Sequence, residues 1–186
     1  MQHPNKILKD FKRLHLLYKK GAVFTSFDTE TSSLSPSKGR IIEIGAIKFN
    51  NKGIIQSYQH LFNPGLPIST EVENLTHISN QMLLKAPKIE EYLPEFIQMI
   101  KGSILIAHNA QFDLNFLNFE CEKMNLRVTK NPTIDTLQYS YFKLPELEKH
   151  KLDYLADYFK INKGSSHRAF DDANTCMELF KIFVNL

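Results

Sequence analysis

Residues 24–34 read FTSFDTETSSL, and the rest of the chain is best understood outward from them. The lead-in FTSF suits a buried strand, yet the stretch runs into two carboxylates, Asp28 and Glu30, set two residues apart. Side chains at i and i+2 of a strand point to the same face. Two like charges therefore stand side by side at the end of an expected core strand, and something must offset their repulsion.

On either side of this stretch the pattern predicts a mixed α/β architecture. Strands are expected at about 22–30, 41–50 and 53–63, the last two joined by the hairpin-like turn NNKG. A helical stretch over roughly 71–100 follows, with a break near Pro87, then a short buried strand in SILIAHN. A helix at about 111–125, a brief strand at TIDT, and helices near 136–142, 150–160 and 169–184 complete the layout. Three meandering strands followed by strand–helix alternation indicate a mixed sheet flanked by helices.

Further carboxylates fall where a core is expected. Asp113 follows the SILIAHN strand, in the first turn of the next helix, where the helix macrodipole by itself would favour it. On a helix over 171–184, Asp172 lies in line with Cys176, Leu179 and Phe183, on the apolar stripe, while Asp171 sits about 100° away, towards solvent. An ionised Asp facing a core is costly unless it is paired or metal-bound. The alternatives are an ion pair with Arg168 at i, i+4 and a metal. Four carboxylates from separate segments, with no Cys or multi-His ligand set, suit oxygen-seeking Mg²⁺ or Mn²⁺. Two such ions would offset the repulsion and suit phosphoryl chemistry. His167, five residues before Asp172, is of the type that takes a proton near neutrality and is expected to act as general base.

Composition narrows the setting. With 186 residues, 42% hydrophobic and 23% charged, the chain can bury one full core. It contains no apolar run of membrane-spanning length, and its basic start lacks the apolar segment of a secretion signal. Cys121 and Cys176 form no disulfide or zinc pattern, so the expected location is the cytoplasm. Charge is uneven: residues 1–20 hold six Lys/Arg against one Asp, whereas the remainder has 17 basic and 19 acidic residues. Residues 6–20 fit an amphipathic helix with Ile7, Phe11, Leu14 and Tyr18 on one stripe. The division expected is a basic N-terminal helix over 1–20 and a domain over 21–186. The helix either packs on that domain or contacts nucleic acid or a partner.

Three motifs in order, FDTETSSL, HNAQFD and HRAFDDANT, resemble those of the DnaQ-like 3′–5′ exonucleases with four acidic ligands and a catalytic histidine. RIIEIGAIKF, FNPGLPIS with LTHIS, PTIDTL and HKLDYLADYF extend the resemblance over about 22–184. It implies an RNase H-like fold and two Mg²⁺ or Mn²⁺ ions on Asp28, Glu30, Asp113 and Asp172, with His167 as base. It further implies that Leu34 wedges against the terminal base, that Thr31, Thr76, Asn109 and Phe112 lie near the 3′ nucleotide, and that Asp135 is structural. Ser33 and His77 depart from the pattern, since both stand where glycine is common; a serine cannot adopt φ > 0 as cheaply.

The activity so implied is release of 5′-mononucleotides from single-stranded or frayed DNA 3′ ends in proofreading or repair. A DNA polymerase subunit is then a candidate partner. The sequence ends just after the last predicted helix, without the polymerase-binding tail that such proofreading subunits often carry, and residues 1–20 are the alternative partner surface. Two other readings are an exoribonuclease trimming RNA 3′ ends and a catalytically silent nucleic-acid-binding module. The complete set of four acids and a histidine argues against the last.

Overall fold

The computed structural model describes residues 6–164 and 167–186. Its centre is a five-stranded sheet in the order β3-β2-β1-β4-β5. Strands β1 (Phe24–Thr31), β2 (Ile41–Asn50) and β3 (Gly53–Leu61) form an antiparallel meander. Strands β4 (Ile104–Ala107) and β5 (Thr133–Asp135) add in parallel on the other side of β1. The mixed sheet with flanking helices is the arrangement expected from the sequence pattern, and it is consistent with the RNase H-like α/β fold that the resemblance implies.

Alternation along β1 divides the molecule. Phe27 joins Ile44, Ala46 and Leu105 on one face, covered by α4 (Ile89–Ile100) and α5 (Gln111–Lys123). Phe24 joins Ile47, Phe49 and Ile106 on the other, covered by α8 (Ala169–Asn185) through Leu179, Phe180 and Phe183. Ser26 lies on this second face, donating its hydroxyl to the Ala173 carbonyl of α8 at 2.6 Å. Period-2 geometry then directs Asp28 and Glu30 towards α8 as well.

The 71–100 stretch is three helices, because capping residues interrupt it. Ser69 caps α2 (Thr70–Thr76) and Ser79 caps α3 (Asn80–Leu84), each hydroxyl accepting a first-turn N–H. Asp135 caps α6 (Thr136–Lys143), and α7 (Leu152–Phe159) leads to the loop before α8. Cys121 and Cys176 are buried and free within α5 and α8. Among the described residues no helix is long and apolar enough to cross a membrane.

The N-terminal segment corrects the expected helix over 6–20. Helix α1 covers only Phe11–Lys19, started by Asp10, whose carboxylate accepts the Arg13 N–H at 3.3 Å. Lys6 to Leu8 run alongside β5 instead: Leu8 N–H donates to the Thr133 carbonyl at 2.7 Å, and Thr133 N–H to the Lys6 carbonyl at 3.0 Å. A three-residue strand at a sheet edge leaves backbone groups to be satisfied, and this pairing outweighs helix continuation. Leu14 is buried against the α8 side, while Lys9, Lys12, Arg13, Lys19 and Lys20 are exposed. Residues 1–5 of the expected arm lie outside the described residues.

One glycine sets the seat of α8. A Cβ on Gly45 of β2 would lie 2.1 Å from the Phe170 nitrogen and 2.2 Å from the Ala169 carbonyl carbon. Backbone lies on backbone there, so a side chain cannot be absorbed by a rotamer change. Gly45→Ala is expected to cost about 1–3 kcal/mol or more by overpacking and to displace the first turn of α8. A urea midpoint equal to wild type would show that the close approach is dispensable.

Candidate active site

The site forms where the sheet opens. Strand β1 pairs with β4 only from Phe24 to Ser26, so its last residues extend past that neighbour. After β4 the chain turns through Asn109, held at φ 63 with its N–H on the Asp135 carboxylate at 3.0 Å, and enters α5. Asp135 also accepts the Leu137 N–H at 3.0 Å, which gives it the structural place expected. The turn brings Asp113 to β1, where its Oδ1 accepts the Thr29 N–H at 2.9 Å and the Thr29 hydroxyl at 2.8 Å. Asp113 therefore does more than cap a helix: it replaces the missing β4 partner of β1.

Asp172 comes from the opposite face of the sheet. It is partly buried in the first turn of α8, and its Oδ2 accepts the His167 N–H at 3.1 Å. One potential ligand atom from each of Glu30, His167 and Asp172 lies within 4.8 Å of the others. Arg168, the alternative partner for Asp172, turns instead to Glu43, reaching both carboxylate oxygens at 2.8 and 3.1 Å. Asp171 corrects the expectation of a solvent-facing neighbour. It is partly buried, with its carboxylate under Gly164, where a Cβ would approach within 2.6 Å. Ser165 and Ser166 of the same loop lie outside the described residues.

The electrostatics follow from this crowding. Burial, then Asp113, Glu30 and Asp172, push the Asp28 carboxyl well above its ordinary range. Burial, then Asp172, Glu43 and Asp113, raise Glu30 to about 8, against a smaller lowering by Arg168. Burial raises Asp113 to about 7 and Asp172 to about 6, opposed by the Thr29 and His167 hydrogen bonds respectively. Asp28 and Glu30 thus lie close enough to Asp113 and Asp172 to feel their charge. An all-oxygen donor set whose members hinder one another's ionisation fits a hard divalent cation.

The residues expected near a substrate divide. Leu34 is 88% exposed, an apolar side chain left free. Thr31 is partly buried and donates its hydroxyl to the Ser33 carbonyl at 2.7 Å. Phe112 is half-buried at the mouth of α5, its ring centroid 5.2 Å from that of Phe116. Asn109 is exposed. Thr76 is buried, and its hydroxyl closes its own turn, donating to the Val72 carbonyl and accepting the Ile78 N–H.

Ser33 is not among the residues with positive φ; the close approach falls to Gly39, where a Cβ would lie 2.5 Å from Ser33 Cβ. His77 does take the left-handed form, φ 56, as the C-cap of α2. Sequence reasoning missed Glu43 and Glu120, both fully buried. Glu120 holds Arg40 at 2.6 and 2.9 Å, which ties the end of the Leu34 loop to α5. The one available signal was a Glu inside the apolar run IIEIGAI.

Comparison with known proteins agrees with this fold. The family model described as Exonuclease (RNase_T) matches residues 25–180. The chain is 40% identical over 163 residues to the DNA polymerase III subunit epsilon of Treponema pallidum, covering 87% of this chain and 76% of that protein. It is 42% identical over 157 residues to the PolC-type DNA polymerase III of Caldanaerobacter subterraneus subsp. tengcongensis, covering 84% of this chain but only 11% of that polymerase. Among solved structures, exonuclease X in complex with 5′ overhanging duplex DNA superposes with a TM-score of 0.70 at 26% identity, covering 87% of this chain and 91% of that one. An Escherichia coli ExoI–ssDNA complex shares the fold, with a TM-score of 0.77 at 16% identity, covering 87% of this chain and 40% of that one.

Two predictions follow from the cluster. Raised carboxyl pKa values mean that the folded state holds protons the unfolded chain releases, so stability falls as pH rises. In EDTA the thermal midpoint should therefore drop between about pH 4.5, the ordinary Glu value, and about 8, the folded Glu30 value. Mg²⁺ should raise the midpoint most at the upper end of that window. A midpoint indifferent to Mg²⁺ at pH 8 would contradict the cluster as a cation site. Separately, Asp172→Asn should abolish activity, since an amide is a poorer ligand for a hard cation. Asp171→Asn keeps the shape that packs under Gly164 and should retain most activity; the reverse ranking would overturn the register of α8.

Proposed function

We propose, since this chain belongs to the DnaQ-like exonuclease family, that it is a metal-dependent 3′–5′ exonuclease. It releases 5′-mononucleotides from single-stranded or frayed DNA ends. The observation that carries the reading is the convergence of Asp28, Glu30, Asp113 and Asp172 with His167 at the open end of β1. Asp28, Glu30, Asp113 and Asp172 would hold two Mg²⁺ or Mn²⁺ ions, which when bound supply Lewis-acid charge at the scissile phosphate.

The chain's own groups do the rest. His167 removes a proton from the attacking water as its oxygen bonds to phosphorus and the P–O3′ bond breaks. The terminal nucleotide leaves with its 5′-phosphate and the strand keeps a new 3′-hydroxyl. Leu34 wedges against the last base and Phe112 offers a ring face, contacts that any base can make. Thr31 and Asn109 line the approach; Thr76 is the residue the resemblance also sets near the 3′ nucleotide, and its buried hydroxyl closes its own turn. Proofreading or repair is the setting supported by likeness to a polymerase III epsilon subunit, and a polymerase is the partner that likeness suggests.

Incubation with 3′-labelled single-stranded DNA in Mg²⁺ should release labelled mononucleotide at once, and EDTA should stop it. 5′-labelled DNA should shorten one nucleotide at a time. Faster release from RNA than from DNA would replace the proposed substrate with RNA, and no release from either would leave a binding module. His167→Ala should lower kcat by roughly 10²–10⁴-fold with little change in Mg²⁺ affinity. A large loss of Mg²⁺ affinity would make His167 a ligand.

A further inference from the structure

Glu43 is fully buried on the α8 face of β2, yet it stands outside the acidic set described above. It lies directly across from Glu30 in the β1–β2 register. Its Oε1 accepts from Arg168 Nη2 at 2.8 Å and from Gln59 Nε2 at 3.1 Å. Its Oε2 accepts from Arg168 Nε at 3.1 Å and from the Ala169 N–H at 3.1 Å. Arg168 is the N-cap residue of α8 and makes no side-chain cap of its own. The first-turn amide is satisfied by a carboxylate on the neighbouring sheet, so the cap of this helix is borrowed from β2.

A buried ion pair is weak evidence for stability, because desolvation offsets most of its attraction. Its use is geometric: a bidentate guanidinium–carboxylate fork fixes orientation as well as distance. Here the fork grips the residue next to His167. That residue is exposed, holds φ 61, and is tied by its own N–H to Asp172. A non-glycine residue with this φ keeps it only where the surroundings over-determine it. Asp172 constrains His167 on one side and the Glu43 fork constrains it on the other.

We infer that Arg168, clamped by Glu43, is a positioning residue that holds the His167 ring over the Glu30–Asp172 carboxylates. This rests on His167 being the base in the proposed reaction. Because Glu43 on β2 and Glu30 on β1 are cross-strand neighbours, the clamp references the base to the strand paired with the one that carries Asp28 and Glu30. A misplacement of about 1 Å suffices to lose roughly 10²-fold in rate.

The test is a kinetic cycle in the full chain, using 3′-labelled single-stranded DNA with Mg²⁺. Arg168→Lys keeps the charge and loses the fork, so kcat should fall about tenfold with KM and the thermal midpoint little changed. Arg168→Gln should fall further, about 10²-fold. In a His167→Ala background, each substitution should cost less than about twofold, because the group being positioned is gone. Equal losses in both backgrounds would overturn the inference and leave Arg168 a fold residue. A rise in KM with kcat intact would overturn it in favour of a direct DNA contact, since Arg168 also lines a cleft with Gln59, His60 and Lys85. Should Arg168→Gln fail to fold, Arg168→Lys carries the same cycle. If His167→Ala itself keeps wild-type kcat, the base assignment falls and this inference with it. That result is distinct from equal losses, which remove the inference alone.

Discussion

Repulsion among Asp28, Glu30, Asp113 and Asp172 is the constraint around which the surrounding structure is arranged. Burial pushes each carboxyl up; at Asp28 and Glu30 the neighbouring acids add to it, whereas at Asp113 and Asp172 hydrogen bonds from Thr29 and His167 oppose it. The rest of the fold has to hold them together. Two apolar cores, one on each face of the sheet, supply that force, and the cluster lies where the sheet loses a strand between them. Bringing these acids together gives up stability locally, most where the carboxyls must ionise.

Two buried arginine–glutamate pairs fix what the cores leave free. Arg168 on Glu43 steadies the loop into α8, which carries His167. Arg40 on Glu120 steadies the end of the loop that follows Thr31 and carries Leu34. In each case the glutamate belongs to a rigid strand or helix and the arginine to the loop. Planar two-pronged contacts suit that task, because they restrict rotation in a way a lone ammonium does not. One loop carries His167, the proposed base, and the other Leu34, the proposed wedge, so both are held against the same scaffold.

The departures from glycine show two different outcomes. His77 keeps the left-handed backbone and accepts its cost, roughly 1–2 kcal/mol for an L residue, as the C-cap of α2. At Ser33 the backbone need not be left-handed, because Gly39 makes the close approach. A sequence position that usually holds glycine therefore does not by itself locate strain.

The sequence alone determined the mixed sheet, the register of Asp28 with Glu30, and the choice of Asp172 as the acid on the apolar stripe. All three follow from local periodicities of two and 3.6 residues, which short stretches carry in full. Tertiary structure decided the remainder. Residues 6–8 left the expected helix because β5, more than 120 positions away, offers unpaired backbone groups. Arg168 turned to Glu43 and away from Asp172, because the close seat on Gly45 puts the helix start beside β2. Asp171 was drawn under Gly164 by the return of its own loop. Partner choice for charged groups and unpaired edges depends on distances between segments remote in sequence, and no local pattern encodes those distances.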